Sequence, residues 1–371
     1  MPIPPPPAGE QRGPDVDVVI AVHSALRPLD RAISSCHTGS GRVRVTVVCH
    51  NIASDEIQAG VQPRKDLPVR YVELHDGLNS PAGPKNAGLQ LADAPYVLVL
   101  DSDDFLEPGA IQHWLELATA RNADGVIVPL RHQSGAVIRT PRARASRIHD
   151  LDPVQDRLAY ATAPRGLWRT GLLRSIGFKY TEGLQSGEDL APGLHLWFSG
   201  ATFEFPARGP RYVQGNDAVD RVTDTFLPLS REFDAIYRLD PRWLDSLTAA
   251  ARRAVAVKLA RTNLIGAMAR RSASWDWSAE DLSAVEDLIR RLDEIHPGFR
   301  RPFARADRRL LNAAARAQTA PEAFLDALRQ QRGANLLDRL LTPGLTANLD
   351  SESTLRQALR MAADWRRIFP V

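Results

Sequence analysis

The sequence predicts an α/β fold, in which a mostly parallel Rossmann-like sheet is covered by helices on both faces and is followed by a C-terminal α-helical domain. Three observations predict it. Short β-branched runs alternate with helical patterns over residues 17–128. Strand patterns stop near residue 228, where Ala, Leu and Arg become dominant. The chain has 371 residues, which is enough for two domains at roughly 100–200 residues each.

The elements of the first half follow from runs of apolar residues and from the residues that interrupt them. A short apolar run suits a strand buried on both faces. Proline in a first helical turn costs little, as at Pro108, because that N–H has no partner in the helix. Strands separated by helices favour a parallel sheet. The runs predict strands at 17–22, 43–48, 69–74, 96–100 and 125–128, with helices at 28–36, 83–92 and 108–121.

The two ends of the chain differ from this α/β part. Residues 1–14 are rich in proline and predict a disordered or polyproline leader, because proline suits neither a helix interior nor a central strand. Residues 15–227 are predicted to form the α/β domain and residues 228–371 the helical domain. The helices expected there are 241–271, 279–295, 304–318, 321–331 and 351–368.

Composition excludes several classes of protein. The formal net charge is only +3, and no basic stripe indicates nucleic-acid binding. Cys36 and Cys49 form no CxxC pair, so two buried thiols in a reducing compartment are expected. No apolar run reaches the ~18–20 residues that span a bilayer. We therefore expect a cytoplasmic protein, with peripheral contact at the inner face of the membrane left open.

The sharpest local feature is an apolar strand pattern that runs directly into Asp101, Ser102, Asp103 and Asp104. Ligands of open α/β sheets bind outside the carboxyl ends of strands. Side chains at i and i+2 of a strand share a face, so Asp101 and Asp103 are expected to point into one pocket. Adjacent carboxylates repel unless a cation lies between them, and hard oxygens suit Mg²⁺ or Mn²⁺ bound together with phosphates. Taken alone, the motif is more typical of a solvated acidic turn before a helix.

In this context the sequence resembles the family 2 glycosyltransferases, which have the GT-A fold. The resemblance covers residues 15–225 and rests on four pieces in the family's order. These are a turn at 21–24 after the first strand, a small-residue stretch at 80–89, the Asp-x-Asp-Asp motif at 101–104, and a Gly-Glu-Asp at 187–189.

The resemblance implies an activity and roles for particular residues. The activity is a metal-dependent, inverting transfer of a sugar from a nucleotide diphosphate, with UDP as the leading nucleotide. The acceptor would be a hydroxyl of a cell-surface polysaccharide, a teichoic-type polymer or a glycolipid. Asp101 would contact the ribose or sugar, Asp103 would coordinate Mn²⁺ or Mg²⁺, and Asp189, beside Glu188, would be the catalytic base. Further donor contacts are expected from Val22, His23, Lys85, Asn86 and Ser102.

The chemistry of the residues agrees with this assignment for Asp189. A direct displacement at an anomeric carbon needs a base on the acceptor side and electrophilic stabilisation on the leaving-group side. Two carboxylate sites far apart in the sequence fit that division. The alternative is that Glu188 and Asp189 are a first-turn pair that interacts favourably with a helix dipole.

The sequence departs from the family pattern at two places. Where the family has an Asp that contacts uracil, this chain has His50 and Asn51 after Cys49. Either side chain offers hydrogen bonds to a base edge. Lys85 stands where Arg is common, which keeps the charge but loses the bidentate geometry.

Two weaker predictions concern the rest of the pocket. Trp168 and Arg169 are expected to shape the sugar and acceptor pocket, with a buried core tryptophan as the alternative. Asn216 or Arg221 is expected in a loop that closes over the diphosphate, with an ordinary surface loop as the alternative.

Two rival functions remain. A nucleotidyltransferase would require a Gly-rich basic loop after the first strand, and residues 22–26 lack such a loop. A non-catalytic module that binds nucleotide sugars would not need Asp101, Asp103 and Asp189 together. The helical domain carries no readable chemistry, and self-association or membrane contact through it stays open.

Overall fold

The computed structural model describes residues 13–38, 42–144, 147–217, 226–271 and 275–368. Residues 1–12 of the predicted leader, and also Arg221, lie outside the described residues. The domain boundary predicted at 227/228 stays a prediction.

A seven-stranded sheet forms the first half, as the sequence predicted. Its strand order is β10-β6-β9-β4-β1-β2-β3. The pairs β1/β2, β2/β3, β1/β4 and β6/β10 are parallel, whereas β9 lies antiparallel between β4 and β6. A mostly parallel sheet is therefore confirmed. The strands are β1 (Val16–Val22), β2 (Val43–His50), β3 (Val69–Leu74), β4 (Tyr96–Val99), β6 (Gly125–Ile127), β9 (Gly166–Arg169) and β10 (Phe203–Glu204).

Helices cover both faces of this sheet because alternate residues of each strand point to opposite sides. Val18 and Ile20 of β1 belong to the same buried cluster as Ile33 of α1 and Trp114 of α4. Val19 belongs to a second cluster with Trp197 of α6. The helices of this half are α1 (Leu29–Ser35), α2 (Ser54–Gln58), α3 (Ala82–Leu91), α4 (Ala110–Arg121), α5 (Thr170–Ser175) and α6 (Leu190–Trp197).

A second, four-stranded sheet lies beside the acidic motif. Its order is β5-β11-β7-β8, and no strand pattern in the sequence predicted it. β11 pairs antiparallel with β5, which follows Asp104 directly. This pairing brings the residues after β11 next to the Asp101–Asp104 turn. The strands are β5 (Phe105–Leu106), β7 (Leu130–His132), β8 (Val137–Ile138) and β11 (Tyr212–Gln214).

The described residues after 228 contain helices and no strand, in agreement with the sequence prediction. The long helix expected at 241–271 is instead divided: Leu247 and Thr248 have non-helical backbone, and a π-helical segment (Leu259–Leu264) interrupts the helix that follows them. The buried core of these helices also includes Leu190 and Leu194 of α6. None of the described helices has the length and apolarity needed to cross a membrane. The helices are α7 (Leu229–Glu232), α8 (Asp234–Tyr237), α9 (Pro241–Ser246), α10 (Ala249–Lys258), α11 (Ile265–Arg270), α12 (Ala279–Ile295), α13 (Arg305–Ala314), α14 (Pro321–Arg332), α15 (Leu336–Leu340) and α16 (Thr354–Ile368).

Candidate active site

A cavity of about 1140 Å³ opens at the carboxyl edge of the parallel sheet. Parallel strands end at the same edge, so the residues that follow β1, β2 and β4 meet there. The predicted donor-site residues Val22, His23, Lys85, Asp101, Ser102 and Asp103 all line it, as does Glu188. The helical region also contributes to the wall, through Phe226, Leu227, Glu232 and Arg270.

Asp101 lies between two basic side chains. Its Oδ1 is 3.0 Å from Lys85 Nζ, and its Oδ2 is 3.0 Å from an Arg165 guanidinium nitrogen. Burial alone would raise the pKa of Asp101, but the two cations outweigh it and hold that pKa well below its usual range. Asp101 is therefore a permanently charged acceptor at the cavity wall.

Asp103 and Asp104 are held by different partners. Asp103 Oδ2 is 3.0 Å from Arg27 Nη1, and the carboxylate faces the cavity. Asp104 Oδ1 accepts a hydrogen bond from the Gly215 N–H at 2.8 Å. Burial and the nearby charge of Asp101 raise the pKa of Asp104 to about 7. Asp104 thus ties the turn to the segment after β11, while Asp103 presents a carboxylate to a ligand.

Lys85 connects the acidic turn with the predicted catalytic pair. Its Nζ is 3.7 Å from Glu188 Oε1, in addition to its contact with Asp101. Burial would lower the pKa of Lys85, but Asp101, Tyr180 and Glu188 raise it, so the ammonium stays charged. The two carboxylate groups that are far apart in sequence therefore share one cavity.

Glu188 and Asp189 occupy different positions: Glu188 lines the cavity, whereas Asp189 is not among the residues that line it. Burial raises the pKa of the Glu188 carboxyl against the opposing effect of Lys85. Asp189 is half-buried and lies immediately before α6, at the helix N-terminus. The aligned peptide dipoles of a helix favour an anion at that end. Glu188 is therefore placed to contact a ligand in the cavity, and the helix N-terminus stabilises a negative charge on Asp189.

His50 and Asn51, at the end of β2, have separate surroundings. His50 is 6% exposed, lines the cavity and contacts Asp76 Oδ1 through Nε2 at 2.8 Å. Asn51 accepts hydrogen bonds from the N–H groups of Asp76 and Gly77 and donates to the Leu78 carbonyl. The Asn51 side chain is thus used to shape the 76–78 turn. Of the two, His50 is the one that faces the cavity.

Asn86 is buried and contacts the loop that carries Glu188, not the cavity. Its side-chain amide donates to the Tyr180 carbonyl at 3.0 Å and accepts from the Tyr180 N–H at 2.8 Å. It also donates to Glu182 at 3.0 Å. The contacts that the structure gives Asn86 position the 180–188 loop.

The structure places Trp168 and Arg169 away from the cavity. Trp168 is 2% exposed and packs edge-on against Trp197 and Phe203. Arg169 pairs in register with Tyr96, the first residue of β4, and so lies at the opposite edge of the sheet from Asp101. Because β9 runs antiparallel, its first residues approach the cavity and its last residues point away. The core alternative for Trp168 is the arrangement observed.

The segment after β11 crosses the acidic turn but presents Asn216 to solvent. Gly215 packs so closely that a Cβ there would lie 2.0 Å from the Asp103 carbonyl oxygen. Arg31 also donates to that carbonyl at 2.6 Å and pairs with Asp217. Asn216 is exposed and does not line the cavity, and its backbone N–H donates to Gln133. The diphosphate role of Asn216 and Arg221 stays a prediction.

Known proteins that are similar to this chain point to one family. The family model described as "Glycosyl transferase family 2" matches residues 17–175. These residues form a family 2 glycosyltransferase domain. The matched part contains the acidic turn, Lys85 and Arg165, whereas Glu188 and Asp189 follow it.

Two curated relatives and one solved structure illustrate the similarity. Succinoglycan biosynthesis protein ExoO of Rhizobium meliloti is 34% identical over 30% of this chain and 31% of its own length. Poly(ribitol-phosphate) beta-N-acetylglucosaminyltransferase TarS of Staphylococcus aureus is 22% identical over 38% of this chain and 25% of its own length. The structure of S. aureus TarS 1–349 in complex with UDP-GlcNAc has a TM-score of 0.72 at 16% identity, covering 86% of this chain and 92% of that one. The last match confirms the GT-A fold, and the first two span only a minor part of each relative.

Sequence reasoning missed two basic residues of the site. Arg165 pairs with Asp101 and lies 3.8 Å from Asp104, and Arg27 pairs with Asp103. Arg165 directly precedes β9, so only the antiparallel direction of that strand brings it to the cavity. Arg27 lies just before α1, in the loop that follows β1. A search for basic residues in the loops that follow predicted strands would have found Arg27, whereas no predicted strand pointed to Arg165.

The side chains that line the cavity can accommodate a divalent cation at one carboxylate. Within the described ranges no three His, Cys, Asp or Glu side chains group together as metal ligands. Both oxygens of Asp101 already contact cations, whereas Asp103 faces the cavity with one oxygen paired to Arg27. Mg²⁺ and similar ions bind through one or two carboxylates together with substrate phosphates. Asp103 is therefore the residue that fits this role.

Proposed function

We propose that this chain is a metal-dependent inverting glycosyltransferase. It would transfer a sugar from a UDP-sugar to a hydroxyl of a bacterial cell-surface polysaccharide, teichoic-type polymer or glycolipid. The observation that carries the proposal is the cavity in which Asp101 and Asp103 face Glu188, with Lys85 between them. The family 2 domain and the fold shared with the UDP-GlcNAc complex of TarS support it.

On the donor side, charged groups would orient the nucleotide sugar. The ionised Asp101 carboxylate can accept hydrogen bonds from ribose or sugar hydroxyls, since Lys85 and Arg165 keep it charged. His50 lies at the cavity wall with Asp76 behind it, where it can meet a base edge. Holding the reactants in one geometry supplies much of the rate in such a displacement.

Asp103 would hold the divalent cation, Mn²⁺ or Mg²⁺, together with diphosphate oxygens of the donor. When bound, the cation supplies positive charge that stabilises the negative charge developing on the leaving diphosphate. Arg27, which contacts Asp103 here, is positioned to add a second positive charge on the same side.

On the acceptor side, Asp189 would take the proton. The acceptor oxygen forms a bond with the anomeric carbon while the bond from that carbon to the diphosphate oxygen breaks. The acceptor proton passes to the Asp189 carboxylate, and UDP leaves with the bonding electrons. A single displacement of this kind inverts the anomeric centre, so an α-linked donor gives a β-linked product. The Lys85 ammonium lies beside Glu188, the residue that precedes Asp189.

A product assay without acceptor separates this proposal from its rivals. The purified chain is incubated with a panel of UDP-sugars, including UDP-GlcNAc, with Mn²⁺ or with EDTA. We expect Mn²⁺-dependent release of UDP and free sugar by slow hydrolysis. Release of pyrophosphate in a parallel incubation with UTP and a sugar 1-phosphate would indicate a nucleotidyltransferase, and binding of donor without any release would indicate a non-catalytic module. Either outcome contradicts the proposal.

A further inference from the structure

Phe226 is an aromatic side chain at the cavity wall that none of the roles above uses. It lines the cavity beside Leu227, and its exposed fraction is 52%. Among the cavity-lining residues in the described part of the chain, it is the one phenylalanine, tyrosine or tryptophan. Exposed apolar surface that borders polar groups in a cavity is a frequent feature of ligand sites. The ring of Phe226 is therefore a surface that a ligand can cover.

A fully buried arginine holds this ring in place. The guanidinium carbon of Arg271 lies 5.5 Å from the centre of the Phe226 ring and 5.6 Å from that of Trp275. The two rings lie 5.3 Å apart. Arg271 is 0% exposed, donates to the Leu227 carbonyl at 2.5 Å and pairs with Glu232 at 2.9 Å. A cation over an aromatic ring is attracted to it, more strongly where water is excluded.

Helix α14 anchors the backbone beside Arg271. Arg332, the last residue of α14, donates to the carbonyl oxygens of Ala269 at 2.6 Å and of Arg271 at 2.9 Å. A side chain that is already fixed loses little conformational freedom when a ligand binds, which favours affinity. The aromatic surface at the cavity wall is thus preorganised by contacts that lie outside the cavity.

Two charged side chains lie at the same part of the wall. Glu232 and Arg270 both line the cavity and form an ion pair. The Arg270 side chain is 53% exposed, and that of Glu232 is 19% exposed. A carboxylate accepts hydrogen bonds and a guanidinium donates them, so together they match the hydroxyl groups of a carbohydrate. An apolar surface with a few polar groups beside it is the usual composition of a small-ligand site.

This part of the wall adjoins the loop that carries Glu188. Arg238, which follows α8, donates to the Glu182 carbonyl at 3.1 Å. A Cβ at Gly187 would lie only 2.9 Å from the Ala235 Cβ in α8, so the loop and the helix are in close contact. The chain that follows Phe226 therefore packs against the loop that leads to the proposed catalytic base.

We propose that Phe226, together with Glu232 and Arg270, forms a subsite for a sugar ring of the acceptor. The C–H groups on one face of the sugar would lie against the aromatic ring, and its hydroxyls would bond to the two charged side chains. A rigid ring offers such a face, whereas a flexible polyol-phosphate chain does not. This inference rests on the proposed function and favours polysaccharide and glycolipid acceptors over an unglycosylated polyol-phosphate polymer.

The test measures binding of three probes by saturation-transfer difference NMR, with UDP and Mg²⁺ present. The probes are cellohexaose, octyl β-glucoside below its micelle-forming concentration, and a ribitol-phosphate oligomer without sugar. We expect the probes with sugar rings to bind. The dissociation constant of the tighter of these two should rise ~10-fold in Phe226→Ala, because an aromatic contact and its buried area are lost. Phe226→Tyr keeps the ring and should keep the wild-type value.

The matched control is Tyr237→Ala, which removes an aromatic side chain that is 40% exposed and does not line the cavity. This variant should bind the probes as the wild type does. If Phe226→Ala does not fold, Phe226→Leu gives the same comparison, because leucine keeps an apolar side chain but lacks the flat face.

Three outcomes overturn the inference. The first is that neither sugar probe binds to the wild type, and the second is that the wild type and the Phe226 variant bind them equally. The third is that the variant loses affinity for UDP-GlcNAc and not for the probes, which would assign the ring to the uracil base near His50. Failure of the proposed function is seen separately, as a lack of Mn²⁺-dependent UDP release without acceptor, and leaves the probe binding to report on Phe226.

Discussion

Lys85 is the residue at which the two halves of the site meet. Its Nζ lies 3.0 Å from Asp101 and 3.7 Å from Glu188, although these carboxylates are separated by most of the α/β part of the chain. A lysine ammonium is a compact charge that can contact two carboxylates from one position. The cavity thus contains alternating charges, in which each carboxylate at the strand end has a basic neighbour.

Asp103→Ala should abolish metal-dependent donor binding. Asp103 is the carboxylate that faces the cavity, and no group of three metal-ligating side chains occurs among the described residues. A ligand that binds the folded state raises the melting temperature. We expect UDP-GlcNAc with Mn²⁺ to raise the melting temperature of the wild type and of the exposed control Asp66→Ala, but not of Asp103→Ala. An equal rise in Asp103→Ala would remove this residue from the metal site.

Lys258, the fully buried last residue of α10, affects stability in a pH-dependent way. Burial lowers the pKa of Lys258 in the folded chain to about 8, below the ordinary value of 10.5. Between these two pH values the unfolded chain therefore binds more protons than the folded chain. As a result, the contribution of Lys258 to the free energy of unfolding of the wild type rises with pH. Lys258→Met lacks this contribution. The free energy of unfolding of Lys258→Met relative to wild type should therefore fall between pH 8 and 10.5, by about 3 kcal/mol at most. Denaturant unfolding at several pH values measures it, and a constant difference would contradict the lowered pKa.

At the scale of elements, strand β9 decides which residues reach the cavity. Its antiparallel register pairs Arg169 with Tyr96 and Leu167 with Leu98, so the chain approaches the acidic turn at Arg165 and leaves it at Arg169. The Trp168 ring fills the space beside Gly125 and Gly166, where an added Cβ would lie only 2.3 Å and 2.1 Å from the ring. The tryptophan therefore holds β9 against β6.

Trp168→Ala should be a stability variant. The indole is buried against Trp197 and Phe203, and removing such a side chain typically costs about 3–5 kcal/mol. Denaturant unfolding should show this loss, while the folded fraction should keep wild-type affinity for UDP-GlcNAc. A stable variant with weakened donor binding would contradict this and indicate that Trp168 contributes to the sugar and acceptor pocket.

Gly215→Ala should displace the Asp101–Asp104 turn, because residue 215 packs directly against its backbone. A methyl group there would collide with the Asp103 carbonyl oxygen, and crowding of this kind costs about 1–3 kcal/mol. We expect a lower free energy of unfolding and weaker UDP-GlcNAc binding. Gly171→Ala in α5 is the control, because nothing lies within 4 Å of its Cβ position and alanine favours a helix. Equal behaviour of the two variants would contradict the packing of residue 215 on the turn.

The sequence predicted the parallel strands and the acidic turn because both are local patterns. β-branched runs fix β1 to β4, and the three carboxylates follow β4 directly. Strand β9 and the small sheet have only two to four residues per strand, so long-range pairing rather than local pattern determines them. For that reason Arg165 was missed, and the pocket was expected at Trp168 and Arg169. The π-helical break was unpredictable for a similar reason, since the long pattern at 241–271 continues through it.

At the scale of the whole molecule, the helical region is part of the site's surroundings. Phe226, Leu227, Glu232 and Arg270 line the cavity wall. The core of the helices continues into α6, whose N-terminus carries Asp189. The parallel sheet thus carries the acidic turn, while the helices that follow it complete part of the cavity wall.

The rate of UDP release by Asp189→Asn, at saturating UDP-GlcNAc with Mn²⁺, tests this arrangement most directly. Asparagine keeps the shape of the side chain but cannot accept the proton, and loss of a general base typically lowers turnover by ~10²-fold or more. We predict that fall, with donor binding unchanged in calorimetry of the same sample. Turnover at the wild-type rate would contradict the account, because the proposed base would then have no part in the reaction.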